Sequence, residues 1–381
     1  MDRFKLLGIS IVLAAFVGVF AGAPPTSAQM PKSKGFEGKG FPGQKGAPGG
    51  GAAMQLPVID THVHLDVHVG RDRTDYEGAA RVALDLMDQT GVRVALLMSP
   101  PLPPDRKGRY DDRAIMAVAQ KFPGRFALMG GGATLNPMVG AIAADRVTES
   151  DRREFEAEAN KILALGAVGF GEMAALHFSF FAEHPFEAVA PDHPLFLLLA
   201  DIAARHDVPI DFHTEVVPED MAVAPELRQK SSRNPTRVSA NLGAFERMLA
   251  HNRAAKIVWT HAGLDSTRAR SPALTRTLLQ RHSNLYVSVN VHPGNVFNET
   301  VPMSAGGPLK PEWRTLLTEM PERFVIGSDQ FNSAPNAAAG GFAPTLRPTL
   351  RVLQALPPDV ARKIAVDNPQ RIYKLAQQST R

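Results

Sequence analysis

No cysteine occurs among the 381 residues. This excludes a disulfide framework, thiolate metal ligands, a cysteine nucleophile and a lipid-bearing N-terminal cysteine. Chemistry therefore has to run on histidine, carboxylates, hydroxyls, lysine or a bound metal. Aromatic residues are sparse at 7% and charged residues reach 21%, against 44% hydrophobic. That balance is globular, too apolar for a disordered chain and too charged for a polytopic membrane protein. Two motifs are also missing. Without GxxxxGK[ST] a P-loop nucleotide hydrolase is disfavoured, and without GxSxG a serine esterase of the α/β type.

A strong excess of one charge is lacking as well. The chain carries 42 basic and 38 acidic residues, a formal net charge of +4. Residues 1–28 hold +1 of it and residues 29–53, with Lys32, Lys34, Lys39 and Lys45 against Glu37, hold +3. The remainder is neutral, so a nucleic-acid partner has little electrostatic support. The one long hydrophobic run, Leu6 to Ala23, follows Asp2, Arg3 and Lys5 and precedes the small residues Thr26 and Ala28. That order predicts a secretory signal peptide over 1–28, cleaved after Ala28, with an uncleaved anchor as the rival reading. Either reading places the rest of the chain outside the cytoplasm; with the signal removed, a periplasmic or secreted protein with no stable membrane span is expected. No twin arginine precedes the run, which favours export of the unfolded chain and metal uptake afterwards. Residues 29–53 are rich in Gly, Pro and Lys without a strict Gly-X-Y period, as expected of a flexible linker.

From Leu56 onward, short apolar or β-branched runs alternate with amphipathic stretches. Eight strands are predicted, at 57–65, 92–98, 125–131, 167–173, 208–214, 256–262, 284–290 and 323–329. Between them lie helix-like segments such as EGAARVALDLMDQTG, DRREFEAEANKILALG, HPLFLLLADIAARHD and NLGAFERMLAHN. Eight strand–helix units over about 300 residues match a (β/α)8 TIM barrel in a single catalytic domain, 54–381. A doubly wound open sheet is the weaker alternative. Its support is Gly169-Phe-Gly171-Glu-Met-Ala174, a loose GxGxxA match in mid-alternation with no clear helix after it.

The sharpest chemical signal is Asp60-Thr-His62-Val-His64 at the end of the first strand. Alternation puts both imidazoles on one face, where they can bind one metal. Polar residues end other strands too: Glu172 the fourth, His213 the fifth, His261 the sixth and Asp329 the eighth. In a barrel these six converge on the C-terminal mouth, and burying them without a cation would cost desolvation and like-charge repulsion. A divalent transition metal is the economical explanation; ligands without sulfur suit Zn, Mn, Fe or Ni, with zinc as the default. Asp60 is read either as an acceptor orienting a ligand histidine or as a strand-end structural contact. Arg71, His177, Asn290 and His292 stand in loops where barrel enzymes bind substrate, alongside His68 and Arg73. His184, His193, His206, His251 and His282 are read as structural, and Phe178, Phe180 and Phe181 as a cap on the barrel.

The order HxH, carboxylate, His, His, Asp resembles the amidohydrolase superfamily. IDTHVHL, THAG, GSD and the closing DNPQRIYKL resemble its amidohydrolase-related branch, which includes aminocarboxymuconate semialdehyde decarboxylase-like proteins, over residues 57–376. Many binuclear members use a carboxylated lysine where this chain has Glu172. The resemblance implies either two ions, with His62, His64 and Asp329 on one, His213 and His261 on the other and Glu172 on both, or one. In the one-ion arrangement His62, His64, His213 and Asp329 are ligands, His261 polarises substrate and Glu172 supports them. The expected function is an exported metal-dependent hydrolase that cleaves a C–O or C–N bond of a small carbonyl compound. A metal-activated water would attack, with Asp329 and His261 as catalytic residues. Non-oxidative decarboxylation is the second enzyme reading, and a periplasmic solute-binding or metal-storing protein is the non-enzyme reading. The sequence names neither the substrate nor the oligomeric state.

Overall fold

A computed structural model of the chain describes residues 56–66, 75–106, 110–182, 184–293, 295–304, 306–335 and 343–375, all within one unit, Ala53–Arg381. The expected signal peptide and linker lie outside the described residues, as does Arg71. Among the described residues, no helix is long and apolar enough to cross a membrane.

The main strands are β1 (Val58–Asp66), β2 (Val92–Met98), β3 (Phe126–Gly131), β4 (Gly169–Ala174), β5 (Pro209–His213), β6 (Lys256–Trp259), β7 (Leu285–Val289), β8 (Phe324–Ile326) and β9 (Gln330–Ser333). Each pairs in parallel with the next from β1 to β8, and β9 pairs in parallel with β1. β8 and β9 are the two halves of a single strand position, interrupted by Gly327, Ser328 and Asp329. One half pairs with β7 and the other with β1, so the sheet closes into an eight-position parallel barrel. The predicted eighth strand runs unbroken to Asp329, whereas the observed one breaks. The break arises because Asp329 turns to a left-handed φ of 58°, a conformation no ladder residue adopts.

One principal helix follows each strand position: α1 (Tyr76–Thr90), α2 (Asp112–Lys121), α3 (Glu149–Ala164), α4 (Pro194–His206), α5 (Leu242–His251), α6 (Pro272–Arg281), α7 (Pro311–Glu319) and α8 (Leu346–Gln354). Their ends are marked locally. Asp75 caps α1 by accepting from the Gly78 amide, and Gly91 ends it at φ 80°. Thr148 and Asp151 form a capping box on α3, and Ser271 with Pro272 starts α6. Between helices and barrel runs the main core, in which Phe196, Phe212, Phe245 and Trp259 pack ring on ring at 5.1–6.1 Å. Each such buried ring stabilises the fold by about 1.5–3 kcal/mol.

Inside the barrel, a smaller cluster of Ile59, Leu96, Met98, Met129, Val258 and Val325 is joined by Ile372 and Tyr373 from the closing helical segment. Apolar chains thus fill one layer of the interior, and polar side chains gather toward the strands' C-terminal ends. Gly171 is needed here: a Cβ on it would stand 2.8 Å from the Cβ of Asp211. The GFGEMA stretch is therefore a strand shaped for close approach, with no nucleotide loop.

Asp60 sets the break that separates β8 from β9. Its Oδ1 accepts from the Ser328 amide at 2.8 Å and its Oδ2 from the Ser328 hydroxyl at 2.5 Å. Of the two roles considered for Asp60, the structure shows the strand-end contact. Asp60→Ala would orphan both buried donors of Ser328 and is expected to cost about 2–4 kcal/mol. Urea unfolding of the variant checks this, and an unchanged midpoint would remove Asp60 as the clamp.

Candidate metal centre

Alternation along β1 sends His62 and His64 inward; Glu172 lies in β4, His213 ends β5, and His261 stands two residues beyond β6. Asp329 sits in the β8/β9 break. The structure brings all six together. Five are almost completely buried, whereas the side chain of Asp329 keeps 15% exposure and so faces the mouth. His261 and Asp329 are both left-handed, at φ 60° and 58°. For such residues this costs on the order of 1–3 kcal/mol and marks positions that the surrounding structure holds in place.

Hydrogen-bond direction fixes what the first pair of histidines offers. His64 Nδ1 faces the Met98 carbonyl at 3.0 Å and His62 Nδ1 faces Asp211 Oδ1 at 3.1 Å. The Met98 carbonyl is an acceptor, so the His64 ring proton belongs on Nδ1 and its Nε2 presents a lone pair; the Asp211 carboxylate beside His62 Nδ1 is a charge contact that favours the same tautomer there. The two Nε2 atoms are only 3.0 Å apart. Glu172 Oε2 lies 3.4 Å and 3.5 Å from them, and Asp329 Oδ1 3.8 Å and 3.3 Å. His62 Nε2, His64 Nε2 and Glu172 Oε2 thus form one close triad, and Asp329 Oδ1 adjoins its two imidazoles; His62, His261 and Asp329 also group closely. Ligands about 2.0–2.2 Å from a tetrahedral ion stand roughly 3.3–3.6 Å apart, and the triad's atoms stand 3.0–3.5 Å apart, so the residues present fit a divalent cation.

The second half of the cluster converges on the other oxygen of Glu172. Oε1 lies 2.8 Å from His213 Nδ1 and 3.1 Å from His261 Nε2. Asn290 Oδ1 accepts from the Gly263 amide at 2.8 Å, which turns its amide nitrogen toward His261 Nδ1 at 3.4 Å. His261 Nδ1 is then the acceptor and its Nε2–H donates to Glu172. Glu172, His213 and His261 also group closely enough to hold an ion.

Charge follows the same lines. Burial alone would lower His62, but the carboxylates of Asp211 and Glu172 hold it well above its ordinary pKa. Burial would raise Glu172, yet the charge of His62 and the bonds from His213 and His261 hold it well below. Asp329 is likewise held low against its burial, with the hydrogen bond to His64 and the charge of His62 among the causes. Burial pushes His261 down to about 4, which keeps it neutral in neutral solution.

His177 lies in a two-residue ribbon after β4, buried, with its ring 4.5 Å from that of His213. His292 is half-buried, 6.4 Å from the Phe180 ring. Asn290 is fully buried and spends its amide on Gly263 and His261 as described. His184, read as structural, has its ring 4.7 Å from that of His177, tilted by 52°. Phe178 is buried, Phe180 is half-buried and Phe181 is exposed.

Sequence reasoning missed Asp211, which orients His62, although Asp211-Phe-His213 repeats the alternation that singles out Asp60-Thr-His62. It also missed Glu187, paired across the ribbon with His177. The Glu187 carboxyl accepts from Asn136 at 2.6 Å and is pushed up to about 7 by burial. Nothing in its sequence context signals this.

A closed parallel barrel with imidazoles and carboxylates at its C-terminal mouth defines a metal-dependent barrel enzyme. The Amidohydrolase family profile matches residues 59–375, and the chain belongs to that family, whose members depend on metal. No curated protein sequence matches it. Among solved structures, it is similar to a dihydroxybenzoic acid decarboxylase from Polaromonas sp. JS666 with bound manganese and the inhibitor 2-nitroresorcinol. Identity is 15%, TM-score 0.45, with 85% of this chain and 98% of that one covered. A 2,6-dihydroxybenzoate decarboxylase from Rhizobium shows 14% identity, TM-score 0.43 and coverage of 84% and 99%. A Deinococcus radiodurans PTE-like lactonase mutant shows 15%, 0.48 and coverage of 85% and 98%.

The carboxylates of Asp211 and Glu172, which raise the pKa of His62 against its burial, favour a proton in the cluster when no metal is bound. Metal uptake must displace it, so binding releases protons and weakens as the solution is acidified. Zinc titration calorimetry in buffers of different ionisation enthalpy is expected to show that release. Asp211→Asn is expected to weaken zinc affinity about 10–100-fold. Unchanged affinity would show that Asp211 does not orient His62.

Proposed function

We propose that the protein is a metal-dependent hydrolase cleaving a C–O or C–N bond of a small carbonyl compound, with one ion held by His62, His64 and Glu172 and with Asp329 beside it. The observation that carries this reading is Asp329: an ionised carboxylate that adjoins the lone pairs of His62 and His64 and is also open to the mouth. A divalent cation bound there supplies Lewis acidity toward a carbonyl oxygen and lowers the pKa of water toward about 7. Asp329 accepts the proton of the attacking water and returns it to the leaving group. Its left-handed backbone keeps the carboxylate at the rim, so this proton transfer needs no rearrangement of the barrel. His261, neutral and fixed by Asn290, holds Glu172 in place from one side and His213 does so from the other. In this reading His177, whose ring lies 4.5 Å from that of His213, and His292 face the substrate.

Asp329→Asn is expected to lower turnover about 10²–10⁴-fold while the protein still binds metal, tested on a panel of lactones, esters and amides. Near-normal turnover would rule out Asp329 as the base. Release of carbon dioxide in place of a new carboxylate would move the reaction to decarboxylation.

We also infer that the chain is exported, from the charged, apolar and small-residue order of residues 1–28. The mass of the mature protein, recovered from its native host, is expected to correspond to a chain starting at Gln29; a full-length mass in a soluble form would overturn this.

A further inference from the structure

Arg270 lies in the loop after β6 and is only 2% exposed. Its guanidinium stacks over the Trp259 ring, 4.1 Å from the centroid. Nη1 donates to the carbonyls of Thr260 and His261, and Nη2 donates to the carbonyl of Thr214 at 2.8 Å. The Trp259 indole N–H donates to that same Thr214 oxygen at 2.9 Å. The backbone of Arg270 is anchored too, its amide donating to Asp265 Oδ2 at 3.1 Å. Asp265 is fixed in turn by Thr300 Oγ1 at 2.5 Å and by the Thr267 amide at 2.9 Å.

The three carbonyls mark where the ladder of β5 and β6 has ended. Thr214 follows His213 directly, and Thr260 and His261 follow Trp259. Buried carbonyls beyond a ladder need donors from elsewhere. A planar guanidinium can serve several at once and still lie flat on an indole; the compact ammonium of lysine cannot hold that spread. One of the carbonyls belongs to His261, whose φ of 60° has to be held against its own strain.

We propose that Arg270 is a positioning residue of the metal centre. By tying the strand ends behind His213 and His261, it sets the two imidazoles that grip Glu172 Oε1, and so aims Glu172 Oε2 at His62 and His64. This rests on the metal reading above, since without an ion there is nothing for that aim to serve. Arg270 acts through backbone oxygens and touches no reacting atom.

Arg323 provides an internal control. It makes the same kind of carbonyl staple, to Leu285 at 2.9 Å, Leu279 at 3.3 Å and His282 at 2.6 Å. Those carbonyls lie before or at the start of β7, at the opposite end of the barrel from the metal cluster. Arg323→Lys should lower thermal stability and leave the metal centre alone.

The test uses the full chain loaded with cobalt(II), read by its visible absorption spectrum and by competition with a chelator. Arg270→Lys is expected to bind cobalt about 10–100-fold more weakly, with an altered spectrum, while Arg323→Lys keeps wild-type affinity and spectrum. Arg270→Ala is expected to recover the wild-type spectrum when methylguanidinium is added, a rescue that a loss of stability alone would not give. Should Arg270→Lys fail to fold, the rescue in Arg270→Ala decides the question. Wild-type affinity and spectrum in a folded Arg270 variant, or no rescue, would overturn the positioning role and leave the metal reading standing. Failure of the wild-type chain to take up cobalt would overturn both.

Discussion

The barrel closes through three residues that are not themselves part of a ladder. Gly327, Ser328 and Asp329 separate the half-strand that pairs with β7 from the half-strand that pairs with β1, and the sheet is a ring only because the chain crosses that gap. Gly327 has no side chain because a Cβ there would meet the Ser288 hydroxyl at 2.3 Å and the His62 Cβ at 2.9 Å. Asp60 takes both donors of Ser328, and the Asp329 amide donates to the His62 carbonyl at 2.9 Å. Closure of the fold and delivery of the mouth-facing carboxylate are therefore one structural event.

Around that gap the electrostatics are one-sided. The imidazoles of β1 face the carboxylate of Glu172 from β4 and that of Asp329 from the break. Glu172 links this half to His213 and His261, offering one oxygen to each side. Such a cluster is costly in a low-dielectric interior unless a cation or a proton occupies it. The protein holds it in place from behind with groups that never reach the mouth: Asp211 on His62, Met98 on His64, Asn290 on His261 and Arg270 on the strand ends. Left-handed backbone persists at His261 through Asn290 and Arg270, and at Asp329 through the Asp60–Ser328 bonds and the His62 carbonyl.

Much of this arrangement is legible in the amino-acid sequence. Short apolar and β-branched runs locate the strands to within a few residues, because a strand buried on both faces has to be written that way. The ligand candidates stand out because each ends such a run, where Val or Ile would otherwise satisfy the core. Asp211 is written just as plainly, two residues before His213, but a lone inward carboxylate in mid-strand is ambiguous until a histidine from β1 is seen across from it. Arg270 is not legible at all. Its partners are backbone oxygens, which have no residue identity in a sequence.

The sequence by itself determined the alternation of strands and helices, the absence of sulfur chemistry at cysteine and the set of imidazoles and carboxylates available at strand ends. Those properties follow from local periodicity and composition, which are read along the chain. Only the tertiary structure decided that the eighth strand breaks to turn Asp329 to the rim, that Asp60 clamps Ser328 instead of a histidine ring, and that Glu172 divides its oxygens between two pairs of imidazoles. These depend on donors and acceptors meeting across the barrel, as with Asp60 and Ser328, which lie 268 residues apart in sequence, and local pattern carries no information about such meetings.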